Sequence, residues 1–243
     1  MSLPDLLAPI RLAVEALLTA LHDLLVACGL DPAAGLGWLL AVALLTVLVR
    51  SALLPLAVRQ HRAAIRMRAL APELQRLRDR FHGRTDPASR RALAAETADL
   101  QRRGGVSPLD ALLPLAVQAP LFIALVQALD HAAHGSGVAA LASFAAAAAF
   151  GAPLAAGALS GGLPGALVGG ALLLVTAGAQ VLSQHLALAA APTAPGARLL
   201  LVLPLVTAVA GLAFPVGVTA CWACSALFTL AQQAVLPRLV RTA

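Results

Sequence analysis

The chain has 243 residues, of which 60% are hydrophobic and only 12% charged, with a mean hydropathy of +0.88 and a formal net charge of +6. A soluble domain of this size carries about 25% charged residues, so composition excludes a soluble globule and places the chain in a membrane. All 17 basic residues are arginine, and lysine and tyrosine are absent; with the abundant alanine, this bias points to a GC-rich bacterial genome of the actinobacterial kind.

Residues 3–26 space Leu6, Leu7, Ile10, Val14, Leu17, Leu18, Leu21, Leu24 and Leu25 at helical intervals, with Asp5, Arg11, Glu15 and Asp23 between them. This pattern predicts an N-terminal amphipathic interfacial helix within segment 1–35, lying on the bilayer rather than crossing it. Leu25-Val26-Ala27-Cys28 has lipobox spacing, but Asp5, Glu15, His22 and Asp23 interrupt the apolar core that such a leader needs, and lipidation of Cys28 is not expected.

The first membrane span is expected at 36–58, where LLTVLVRSALLPL places Arg50 inside an apolar run. Counted back from Arg59, Arg50 lies about 13 Å into the bilayer at a rise of about 1.5 Å per residue. Its guanidinium stays charged, so it either snorkels to the surface or faces an aqueous cavity.

Segment 59–107 holds twelve arginines against five acids and is cytoplasmic by the positive-inside rule. Met67, Leu70, Leu74, Leu77 and Phe81 make a heptad seam on one helix. Asp86 is placed to cap a second helix that Pro87 opens and Gly104-Gly105 ends, with Leu93 and Leu100 on its seam. The two predict a cytoplasmic antiparallel helical hairpin. It is either a solvated face that fixes topology or a platform for anionic lipid headgroups or ribosomal RNA.

Ser107-Pro108-Leu109-Asp110 reads as a capping box opening the second span, 108–129. Further spans are expected at 163–188, 199–213 and 214–236, the last two forming a tight hairpin, with a cytoplasmic loop at 189–198 and a tail at 237–243. The alanine-rich stretch 130–162 is apolar enough to be ambiguous. Arg198, Arg238 and Arg241 fall inside only if it does not cross, so it is assigned as an extracytoplasmic loop. The expected fold class is therefore an all-α integral membrane protein with five transmembrane helices, amino terminus outside and carboxyl terminus cytoplasmic, in a bacterial plasma membrane.

No carboxylate lies deep in a span, so Arg50 has no acidic partner, and Gln118, Gln180, Gln184, Ser225 and water remain to answer it. A hydrated pocket follows. Catalysis does not: no base, ligand set or phosphate-binding glycine loop accompanies the spans. His131-x-x-His134 stands alone at a span end, and Cys221-x-x-Cys224 reads as small apolar filler. No enzyme activity, cofactor or metal is expected.

The order TVLVRSALLPL, MRALAPELQRL, GGVSPLDALLPLAVQAPLFIAL, then FPVGVTACW and AQQ resembles the YidC membrane-protein insertase family of the YidC/Oxa/Alb superfamily, over residues 36 to 238 and in its short Gram-positive-type form. The resemblance implies a five-span core with a hydrophilic groove open to cytoplasm and lipid but closed outside. It implies Arg50 as the groove arginine, Gln184 or Gln180 as the groove glutamine of the third span, and Trp222 as the aromatic after the Phe-Pro-x-Gly turn; Gln118 and Ser225, read from the polar residues of the spans, are further groove candidates. On the hairpin the candidate residues are Arg62, Arg66, Met67, Glu73, Arg76 and Arg80. Nascent membrane proteins and anionic lipids are the implied partners, with the Sec translocon and the ribosome as further candidates and no DNA. The chain departs from the family at Cys221, where an aromatic is usual, and at Ala226, where asparagine is frequent. The long basic tail and the large extracytoplasmic domain of some members are not expected here. The alternative from another class is a small transporter or channel for an anionic solute, with Arg50 as the binding charge.

Overall fold

The computed structural model describes residues 3–106, 113–133, 141–190 and 202–241. Among these, nearly all regular structure is helical: α1 (Leu3–Ala27), α2 (Gly35–Ala52), α3 (Leu54–Arg80), α4 (Pro87–Arg103), α5 (Leu113–Ala133), α6 (Ala142–Ala146), α7 (Gly162–Ala190), α8 (Leu203–Gly211) and α9 (Val216–Arg241), with one small hairpin of β1 (Ala148–Ala149) and β2 (Ala152–Pro153). The described residues fall into two compact units, one within Met1–Ala52 and Ala119–Pro237, the other within Leu53–Gln118 and Arg238–Ala243.

In the larger unit, Gly35–Ala52, Gly162–Leu188 and Val216–Leu236 are long and apolar enough to cross a membrane. Their outward faces carry Leu40, Leu44 and Leu48 on α2 and Leu167, Leu174 and Leu182 on α7, all exposed. Water would disfavour such stripes by about 25 cal/mol per Å²; hydrocarbon does not. The chain is a membrane protein.

The apolar run expected at 36–58 is broken at Leu53, where α2 stops and α3 begins with Pro55 in its first turn. Proline is tolerated there because its missing N–H belongs to a group that has no intrahelical partner anyway. Leu54 to Val58 therefore belong to α3. At the other end, α9 continues without interruption to Arg241, through the start of the segment expected as a tail.

The polarity of α1 differs from a simple amphipathic pattern. Val14, Glu15, Leu18 and His22 form its buried face, whereas Leu12 and Leu24 are exposed. Arg11 Nη1 sits 2.5 Å from Glu15 Oε1, which is what permits a carboxylate to be buried. The His22 ring stacks on Trp38 at 3.8 Å between centroids, and Trp38 meets Phe144 edge-on at 5.6 Å.

Residues 141–161 gather one end of this unit. Ala34 bridges to Ala148, Val216 N–H donates to Ala156 O and Gly217 N–H donates to Leu154 O, each at 3.0 Å for the last two. Since α7 begins at Gly162, the first turns of α2, α7 and α9 all lie at this end. Two glycines make the approach possible. A Cβ on Gly35 would collide with Ala148 and come within 2.6 Å of Ala149 N, and one on Gly217 would come within 2.7 Å of the Phe144 ring.

The smaller unit pairs α3 with α4 in antiparallel fashion. Arg80 Nη2 reaches Glu96 Oε2 at 3.1 Å near one end, and Leu70 packs against Gly104 near the other. Leu74 and Leu77 are buried on α3, but α4 buries no residue fully. Asp86 caps α4 as its sequence suggests, its carboxylate accepting from Ser89 N–H at 2.7 Å.

Candidate functional site

The side chain that answers Arg50 comes from α9. Ser225 Oγ accepts from Arg50 Nε at 3.1 Å and from Nη2 at 2.7 Å. One turn earlier on both helices, Thr46 Oγ1 lies 3.5 Å from Cys221 Sγ. The threonine hydroxyl also donates to Val42 O at 2.7 Å within its own helix. Residues 46 and 50 thus face 221 and 225 in register, and α2 and α9 run parallel along this seam.

A guanidinium has five N–H donors, and a single neutral hydroxyl engages only part of that capacity. Among the described residues no carboxylate pairs with Arg50. A bidentate carboxylate would match its remaining donors far better than a hydroxyl does.

Trp222 packs between Phe122 of α5 and Phe214 in the turn before α9, with ring centroids 5.7 and 5.2 Å away. It also limits the space beside Gly211, where a Cβ would lie 3.3 Å from the indole. The tryptophan is therefore a half-buried part of the wall that joins α5, α8 and α9.

Gln180, Ser183 and Gln184 share one face of α7, as their spacing requires. Gln180 Oε1, Ser183 Oγ and Gln184 Oε1 are buried and have no protein partner, and the same is true of Gln233 Oε1 on α9. Such groups are costly to bury dry, so this face suits water or a polar guest. The structure brings Arg50 and Ser225 together and places Gln180 with Gln184. The side chain of Gln118 lies outside the described residues, as do Asp110 and His134. Thr46 was missed by sequence reasoning and Cys221 was read as apolar filler; their signal was their position one turn before Arg50 and Ser225.

On the hairpin, Glu73, Arg76 and Arg80 of α3 face Glu96, Asp99 and Arg103 of α4 across a cleft of about 690 Å³. Three cations and three anions make this cleft close to neutral. The positive excess lies outside the cleft, in part on the exposed Arg59, Arg62, Arg66 and Arg68, while Met67 is half-buried. His61 among them has its pKa lowered, by partial burial first and by the Arg68 charge second.

Residues 29–242 match the family model described as 60Kd inner membrane protein. The chain belongs to this family, that of YidC. It is 34% identical over 137 residues to the membrane protein insertase YidC of Tropheryma whipplei, covering 56% of this chain and 44% of the relative. It is 32% identical over 133 residues to the YidC of Bifidobacterium longum, covering 54% and 39%. Against the YidC of Streptomyces avermitilis, identity is 29% over 222 residues, covering 82% and 51%. The chain thus spans about half or less of the length of these relatives. The actinobacterial character read from composition agrees with their source.

Proposed function

We propose that this chain is a membrane-protein insertase that passes short polar segments of nascent membrane proteins through a hydrated groove and releases their apolar spans into lipid. The observation that carries this reading is the charge of Arg50, inside an apolar helix and answered by one neutral hydroxyl. It is held in place yet left with donors for an acidic guest.

The physical difficulty is that each unsatisfied backbone group of a crossing segment costs several kcal/mol in hydrocarbon. Arg50, Ser225, Gln180, Ser183 and Gln184 supply donors and acceptors over part of that path. Attraction to an acidic residue is moderate where water screens it. Burial of the substrate's apolar span, about 0.8 kcal/mol per CH₂, supplies the driving force without a nucleotide. Trp222 completes the groove in this reading.

We infer five spans, with the amino terminus outside, the carboxyl terminus cytoplasmic and α1 interfacial. The parallel α2–α9 seam and the common end of α2, α7 and α9 support that arrangement, and 141–161 then closes the outer side. The α3–α4 hairpin lies in the cytoplasm. There Arg62, Arg66, Arg76 and Arg80, with Met67 and Glu73, receive substrate beside anionic lipid, and the Sec translocon and ribosome are candidate partners.

The test is insertion of a single-span protein with an acidic external tail into proteoliposomes. The intact chain and Arg50→Lys are expected to give protease-protected substrate, and Arg50→Ala to lose most of it. Protection no better than empty liposomes for the intact chain overturns the reading. Uptake of an anionic solute in the same vesicles would support the transporter instead.

A further inference from the structure

The β1–β2 hairpin turns through Phe150 and Gly151 at φ of +53° and +78°, positive at both positions as a two-residue hairpin of the primed type demands. Asparagine, aspartate or glycine adopts this conformation most readily; a bulky side chain does so at a cost. The ring packs little against the described residues in return, since Phe150 is 78% exposed. The other side of the hairpin is fixed, with Ala149, Ala152 and Leu154 buried in the core. The phenylalanine is thus held outward on a rigid mount.

Its neighbourhood identifies what it meets. A Cβ on Gly151 would lie 3.5 Å from Pro164 in the first turn of α7, so the hairpin tip abuts the start of an apolar helix long enough to span. Leu163, Leu167 and Leu174 step by four and seven residues along one face of α7, exposed at 73, 64 and 76%. Leu159, 76% exposed, belongs to the segment just before it. The ring therefore continues the lipid-facing stripe of α7 beyond the helix's own N-terminus.

We propose that Phe150, with Leu159 and Leu163, is a membrane anchor that seats the 141–161 segment in the hydrocarbon–headgroup boundary of the leaflet on that side. An aromatic ring and two leucines, in a stretch 141–174 that contains no Asp, Glu, Lys or Arg, fit acyl chains and the glycerol region. The anchor goes beyond the insertase reading and rests only on α7 being a span.

The experiment places nitroxides singly at 150, 163 and 174 in a Cys28→Ser, Cys221→Ser, Cys224→Ala chain, reconstituted in phosphatidylglycerol–phosphatidylethanolamine vesicles. Collisional relaxation by oxygen is compared with that by a water-soluble nickel chelate. The expected result is oxygen-dominated relaxation at all three sites, shallower at 150 than at 174. Oxygen dominance at 174 with nickel dominance at 150 overturns the anchor alone, whereas nickel dominance at 174 removes the span and the anchor with it. In the native-cysteine chain, benzoylphenylalanine at 150 is expected to yield lipid adducts on illumination. Adducts to a second copy or to another protein overturn the proposal.

Discussion

Arg50 and Ser225 lie 175 residues apart, and their twofold hydrogen bond, at 3.1 and 2.7 Å, ties the only charged side chain of α2 to the middle of α9. Thr46 and Cys221 have the same separation in sequence. Two contacts one helical turn apart fix relative rotation as well as distance, so this seam sets where the guanidinium points.

Ser225→Ala removes the tether and leaves the charge. A hydrogen bond to a charged group contributes about 1.5–3 kcal/mol, and partial hydration of Arg50 places the expected loss at the low end of that range. It is read as a lowered melting temperature in detergent. Insertion of the acidic-tailed substrate is expected to persist. Ser225→Asp is the informative contrast: a carboxylate satisfies Arg50 internally, and insertion is expected to fall at least about tenfold while stability holds. Equal activity of the two variants would refute a role for the free guanidinium donors.

Gly35→Ala is expected to destabilise the larger unit by about 1–3 kcal/mol, the usual cost of forcing atoms into a packed site, because the new methyl meets the backbone of Ala148 and Ala149. Gly170→Ala in α7, with nothing within 4 Å of the added carbon, is expected to be neutral or to stabilise by up to about 1 kcal/mol through helix propensity. Thermal unfolding of the two variants side by side decides the matter, and the opposite ranking would contradict the close approach of 141–161 to α2.

Phe144→Ala removes a fully buried ring that touches both Trp38 and the space beside Gly217. Truncation of such a ring costs about 3–5 kcal/mol. The effect is expected to be the largest of these substitutions, accompanied by a change in Trp38 fluorescence as its edge-on partner disappears.

Asp86 governs a pH response in the hairpin. Hydrogen bonds from Ser89, hydroxyl and backbone amide, hold its carboxyl below the ordinary carboxylate range. A depressed folded-state pKa means the cap is fully effective above the unfolded-state value and is lost as pH falls through the lower, folded-state one. The Ser89 amide resonance should therefore titrate below the ordinary range of aspartate, and α4 should fray only there. Asp86→Asn should abolish that titration; a Ser89 shift that persists in this variant would assign it to another group.

Much of the site was legible because charge and caps leave strong local signatures. Arg50 stands out in an apolar run, Gln180 and Gln184 announce a shared face by their spacing, and Asp86-Pro87 states a helix start. The break at Leu53 was hidden since the apolar run continues across it and Pro55 is tolerated in a first turn. Glu15 reads as part of the polar face of α1, although its partner Arg11 lies one turn away on the same helix, and the burial of His22 depends on the tertiary partner Trp38. The fold of 141–161 was the least legible, because its defining bonds run between backbone atoms, such as those of Val216 with Ala156 and Gly217 with Leu154, and leave no pattern in side-chain chemistry.

Those backbone bonds also impose an order of assembly. Val216 and Gly217 donate to Ala156 and Leu154, so the acceptors on 141–161 stay unanswered until the last long helix arrives. In a chain synthesised from its amino terminus, α2, α5 and α7 precede α9, so these two bonds can form only once α9 has begun. The helix whose first turn bonds to Ala156 and Leu154 is also the one that carries Ser225 to Arg50.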